Sequence, residues 1–161
     1  MNSPLAFTID EVASLMIEGL NEIFSTLFEV GVSLRQEPGN YWPSDSAMIA
    51  GNVGFTGEVN GVVYVYFQTQ FADRLAVRML GLEPADPLEP ELVNDVVGEL
   101  SNMIVGSTKS RLCDLGQTCV LTIPSVVRGR QVGIESVGTA KSRLLTIDCG
   151  GECILVKILL K

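Results

Sequence analysis

A chain of 161 residues, 47% of them hydrophobic and with a positive mean hydropathy, is long enough to bury a core without disulfides or metals. Yet it has no apolar run near the ~20 residues that a membrane-crossing helix needs. Nineteen acidic against eleven basic side chains leave a net charge of −8. That charge argues against nucleic acid as a partner, because affinity for a phosphate backbone comes from lysine and arginine. The chain contains no histidine, which excludes Ser-His-Asp and Cys-His schemes, so any chemistry must run on carboxylates, amides and backbone.

Met1, Asn2, Ser3 and Pro4 carry neither a basic segment nor a cleavable apolar stretch, so the expected compartment is the cytoplasm. Thr8 is placed to cap a first helix, with Glu11 completing a capping box. That helix is expected to run to about Val30 and to stop at Gly31. Its inner stripe is Val12, Met16, Leu20, Ile23, Phe24 and Leu27, which leaves Ser14, Glu18 and Asn21 facing outward. A short strand is expected at Val32 to Arg35, followed by a loop in which Tyr41 and Trp42 cover the edge of the core. Ala47 to Gln68 reads as a hairpin turning near Glu58, Val59 and Asn60. Phe71 to Leu80 reads as a helix with Leu75, Met79 and Leu80 inward, ended by Gly81.

The acidic, proline-punctuated stretch from Leu82 to Pro90 divides the chain into halves, about 8–82 and 89–161, of a single domain spanning 1–161. It is too short for a flexible linker. A long helix is expected from Glu91 to Leu112, then strands at Thr118 to Ile123, Arg130 to Thr139, Leu144 to Cys149 and Cys153 to Leu160. The last is too apolar for a bare edge. It either lies centrally in the sheet or pairs with its copy across a two-fold axis. Cys113, Cys119, Cys149 and Cys153 lack zinc-site spacing and read as buried small apolar residues, so no metal is expected. Neither GxGxxG nor GxxxxGK[ST] occurs, which removes the dinucleotide and P-loop readings. Helices alternating with pairs of strands indicate a two-layer α+β domain with a largely antiparallel sheet.

On the long helix, Val93, Val96, Val97, Leu100, Met103 and Ile104 make one apolar stripe. Asp95, Glu99 and Asn102, at i, i+4 and i+7, stand in a row on the other side, bordered by Gly98 and Gly106. Two glycines in a helix cost roughly 1 kcal/mol each relative to Ala, which points to a close approach there, read as a docked partner. Such a row is ordinary on a solvated helix, but it occurs twice. Ser14, Glu18 and Asn21 repeat its spacing, and Pro43 follows Asn21 at the interval by which Pro124 follows Asn102. The copies are offset by about half the chain, the mark of an internal duplication that makes the two helices pseudo-symmetric.

This doubled signature resembles the Asp/Ser-x3-Glu-x2-Asn-x21-Pro motif of the CheC/CheX/FliY family of chemotaxis phosphatases. The likeness rests above all on GELSNMIVGSTKSRLCDLG and LTIPSVVRG. It extends back through GFTGEVNGVVYVYFQTQFADRLAVRMLG and covers about residues 10 to 160, closest to CheX-type members. It implies a CheC-like fold and a phosphatase acting on the aspartyl phosphate of a CheY-like receiver domain. The receiver would bring its own Mg²⁺, so this chain would bind no cofactor. The family pattern gives Glu99 the role of pairing with a lysine near the phosphorylated site. Asn102, whose amide can accept from a water and donate to a phosphoryl oxygen, would order the attacking water. Asp95, Gly98 and Gly106 would support docking, and Ser14, Glu18 and Asn21 are a possible second site. The resemblance also implies a homodimer. The alternative is a catalytically silent module of the same fold that binds a receiver or a motor-switch partner.

Overall fold

The computed structural model describes residues 7–37, 42–43, 45–130 and 141–161. Helix α1 (Ile9–Phe28) begins with the expected reciprocal cap: the Glu11 amide donates to Thr8 Oγ1 (3.2 Å) and the Thr8 amide to Glu11 Oε2 (2.7 Å). It ends two residues earlier than the sequence suggested. Glu29 rather than Gly31 takes the left-handed conformation (φ 55°), and the Val30 amide closes the last turn on the Phe24 carbonyl (3.3 Å). Phe28 is buried at this end, while Leu27, expected inside, is exposed.

Strands β1 (Val32–Leu34), β2 (Ala47–Gly57) and β3 (Gly61–Gln68) follow, then helices α2 (Thr69–Leu80) and α3 (Pro90–Asp114). On α2 the inward residues are Phe71, Ala72, Leu75 and Ala76; Leu80, expected inside, is exposed beside the Gly81 cap. Strands β4 (Cys119–Leu121), β5 (Ser125–Arg130), β6 (Lys141–Cys149) and β7 (Glu152–Leu160) complete the chain. Strand β5 starts five residues before the strand expected at Arg130 to Thr139, and residues 131–139 of that expectation lie outside the described residues.

All the strands join one antiparallel sheet in the order β1-β6-β7-β3-β2-β4, with β5 continuing the β4 track along β2. The order is symmetric when β1 is matched with the β4–β5 track, β6 with β2, and β7 with β3. Each half lends its edge track to the other half's strands, the arrangement a duplication produces. Strand β7 pairs with β3 on one side and β6 on the other, so of the two placements open to this run it takes the central one.

One face of the sheet carries the helices and the main core, in which Met16, Leu20, Phe24, Ile49, Val63, Phe67, Leu100, Ile104, Ile154 and Ile158 are fully buried. On the other face Trp42 packs with Met48, Ala50, Tyr66 and Leu155, and its Nε1 donates to the Cys153 carbonyl (3.2 Å). Trp42 therefore covers core, as expected; Tyr41 lies outside the described residues. Cys119, Cys149 and Cys153 are buried in strands, and burial, with Glu152 nearby, pushes the Cys149 thiol up to about 11.

Helix α3 crosses β2 where Ser101 meets Gly51. Ser101 is fully buried and its hydroxyl donates to the Val97 carbonyl (2.7 Å). A β-carbon on Gly51 would lie 2.8 Å from the Ser101 β-carbon and 3.2 Å from the Val97 oxygen. Helix and strand can approach this closely only because Gly51 has no side chain. With Ser101 pinned inward, the rotation of α3 is set, and the next residue, Asn102, is turned outward.

Candidate functional site

The structure exposes Asp95 and Glu99 and leaves Asn102 half-buried on α3. Neither carboxylate has an ion pair or hydrogen bond among the described residues, and the Asn102 amide has no hydrogen-bond partner among them. One row thus presents two unneutralised carboxylates and one uncommitted amide.

The bordering glycines lie against the protein's own edge strands. Gly98 is buried, and a β-carbon on it would touch Val126 of β5 at 3.6 Å; one on Gly106 would touch Leu121 of β4 at 3.9 Å. Both distances are ordinary van der Waals contact, so neither glycine is required by the edge track; Gly98 is buried beneath it and Gly106 stays half-buried.

Gly98, Asn102 and Gly106 share one ridge of the helix, four residues apart. The edge track runs antiparallel beside that ridge, so the segment opposite Asn102 is Thr122 to Pro124, where β4 ends and β5 has not begun. There the pairing of the track with β2 is interrupted. The Thr122 amide donates to the Gly54 carbonyl (2.8 Å) and the Gly54 amide to Thr122 Oγ1 (2.8 Å), while Ile123 and Pro124 leave the ladder before Ser125 rejoins opposite Asn52. Pro124 has no N–H to lose at this break. It shapes the strand junction in the stretch of track that runs past Asn102.

The first copy looks alike in sequence and differs in space. Ser14, Glu18 and Asn21 are all exposed, but Asn21 Oδ1 accepts from the Val32 amide (3.0 Å), tying the start of β1 to the helix. Arg111 of α3 reaches across to Glu22 (2.6 Å) and Glu18 (3.5 Å) and also bonds Ser107 Oγ. It can reach because Gly19 lets the helices meet, a β-carbon there lying 3.0 Å from that of Ser107. Helix length explains the difference. Helix α1 stops seven residues after Asn21 whereas α3 runs twelve beyond Asn102, so the returning strand closes on Asn21 and misses Asn102. Sequence reasoning missed both Arg111 and the Val32 amide; the early left-handed stop at Glu29 is the local feature that brings β1 back so soon.

Residues 49–148 match the family model for the chemotaxis phosphatase CheX. The chain belongs to the CheX family. The CheY-P phosphatase CheX of Thermotoga maritima is 34% identical over 86 residues, a match that covers 53% of this chain and 55% of that protein, so the chain spans about half the length of the curated relative it matches. A CheX crystal structure from Desulfovibrio desulfuricans superposes with a TM-score of 0.77 at 24% identity, covering 94% of this chain and 99% of that one. CheX in a CheX–CheY–BeF3–Mg complex from Borrelia burgdorferi superposes with a TM-score of 0.69 at 18% identity, covering 93% of this chain and 97% of that one. At these identities the superpositions speak for the CheX fold alone: α+β, with three helices on one antiparallel sheet.

Proposed function

We propose that this chain is a phosphatase that hydrolyses the aspartyl phosphate of a CheY-like receiver domain, in cytoplasmic chemotaxis or another two-component pathway. The name and activity of the Thermotoga relative support the reading. The observation that carries it is the contrast between the two motif asparagines: Asn21 spends its oxygen on the Val32 amide, while Asn102 stands half-open with its amide uncommitted. The receiver brings the phosphoryl group and its Mg²⁺. Water attacks phosphorus in line with the leaving carboxylate, the P–O bond to the aspartyl group breaks, and the water's proton passes to the phosphate formed. The Asn102 amide accepts from that water and donates to a phosphoryl oxygen, which makes its contribution geometric. Glu99, unpaired one turn away, meets a lysine beside the phosphorylated site, and Asp95 supports docking.

The lifetime of a phosphorylated CheY-like receiver, measured with and without this chain, tests the reading. A shortened lifetime is expected. An unchanged lifetime with binding intact would instead favour the silent receiver-binding or motor-switch module.

A single working site is expected. Asn21→Ala should cost about 1 kcal/mol of stability, the worth of one hydrogen bond, and leave dephosphorylation nearly unchanged. A loss of activity comparable with that from Asn102→Ala would sink the one-site reading.

A homodimer is part of the same proposal. The central place of β7 removes the terminal strand as the pairing element. Two edges of the sheet are left, β1 with the uncovered start of β6 and the β4–β5 track, and it is the β4–β5 track that carries exposed valines on its helix-free side, Val120 (68% exposed) and Val127 (51% exposed). Sedimentation at micromolar concentration should show a dimer that Val127→Asp weakens; monomer alone would remove the idea.

A further inference from the structure

We propose that Ile123 is an apolar anchor by which the phosphorylated receiver domain seats beside the Asn102 row, an inference that rests on the phosphatase reading and names a further docking residue of that site. Ile123 is 89% exposed, more than any other large hydrophobic side chain among the described residues. A lone exposed apolar residue is ordinary on a protein surface, so the weight falls on its position. Asn102 lies midway along the ridge between Gly98 and Gly106, ~6 Å of helix from each. The track residues facing those glycines are Val126 and Leu121, so the break that holds Ile123 runs past Asn102.

The break is held at both ends. The two Thr122–Gly54 hydrogen bonds fix it on one side and the Ser125–Asn52 pairing on the other, while Pro124 restricts Ile123 to extended backbone. The side chain is thus presented from a clamped position, with little ordering entropy left to lose on binding. A partner that meets Glu99 with an ammonium group and Asn102 with a phosphoryl group has its adjoining surface over Ile123. A second copy of this chain is the other possible occupant. Against it, Val120 and Val127, the apolar residues suited to pairing between copies, alternate onto the opposite face of the sheet from Leu121 and Val126, which face α3.

The test uses the full chain, a CheY-like receiver loaded with beryllofluoride and Mg²⁺ for affinity, and the phosphorylated receiver for turnover. Ile123→Ser, at a position too exposed to threaten folding, should raise both Kd and KM about tenfold or more, the worth of burying one such side chain. With it, kcat and the sedimentation profile should stay unchanged, and Ile123→Leu should restore affinity. An unchanged Kd overturns the proposal, as does a fall in kcat at constant Kd. A shift to smaller species with receiver affinity intact assigns Ile123 to contact between copies and overturns it too. If the unsubstituted chain binds the receiver without hydrolysing it, the phosphatase reading fails while the Kd of Ile123→Ser still decides the anchor. If it does not bind at all, both fall.

Discussion

Replacing Asn102 by Ala is expected to slow receiver dephosphorylation by about 10²–10³-fold, the range for removing one preorganised group that positions or stabilises the reacting atoms, with receiver affinity nearly intact. The half-open amide has no hydrogen-bond partner among the described residues, so its removal leaves no buried group unsatisfied and stability should move by less than about 0.5 kcal/mol. The loss then falls on kcat. Glu99→Ala should act on the other parameter, weakening the complex by removing an ion pair. That deficit should narrow at higher salt, where screening already weakens the pair in the unsubstituted chain. Turnover measured at saturating and subsaturating receiver separates the two effects. Full activity in Asn102→Ala would end the water-ordering role.

Gly51→Val is expected to destabilise the fold by about 3 kcal/mol, at the upper end of ordinary overpacking. A β-carbon alone would already crowd the Ser101 β-carbon at 2.8 Å and the Val97 carbonyl at 3.2 Å, and the branched methyl groups extend further into the helix–strand crossing. Neither side can retreat easily, because β2 is paired to β3 along its length and α3 buries Val97, Leu100 and Ile104 around the contact. The urea midpoint of Gly51→Val should fall accordingly, and Gly51→Ala should fall less. Ser101→Gly, which deletes the crowded β-carbon, should recover part of the Gly51→Ala loss despite its own helix penalty of roughly 1 kcal/mol. If Gly51→Val unfolds at the same urea concentration as the unsubstituted chain, the crossing is not as tight as described.

Features set by neighbours in the chain were legible without coordinates. The Thr8–Glu11 cap, the stripe of Val93, Val96, Val97, Leu100 and Ile104, and the 47–68 hairpin all follow from spacing and turn chemistry. So does the outward row of Asp95, Glu99 and Asn102, since a helix whose inner face is fixed has its outer face fixed too. Strand β5 escaped because an edge strand needs no continuous apolar run: Val126 packs toward α3 while Val127, Arg128 and Arg130 remain exposed.

Spacing along the chain thus fixes the local elements, the family motif and its repetition. Long-range packing settled which copy keeps an uncommitted amide. The two asparagines sit in near-identical local patterns, and only the path of the returning strand gives one of them the Val32 amide and leaves the other beside a break at Ile123 and Pro124. Arg111 likewise reaches Glu18 and Glu22 only because the two helices pack at Gly19 and Ser107. A long apolar run such as β7 is equally compatible with the middle of a sheet and with pairing to a second copy, and the choice depends on strands distant in the chain. These are contacts between residues far apart in sequence, and periodicity, which registers only neighbours a few positions away, carries no record of them.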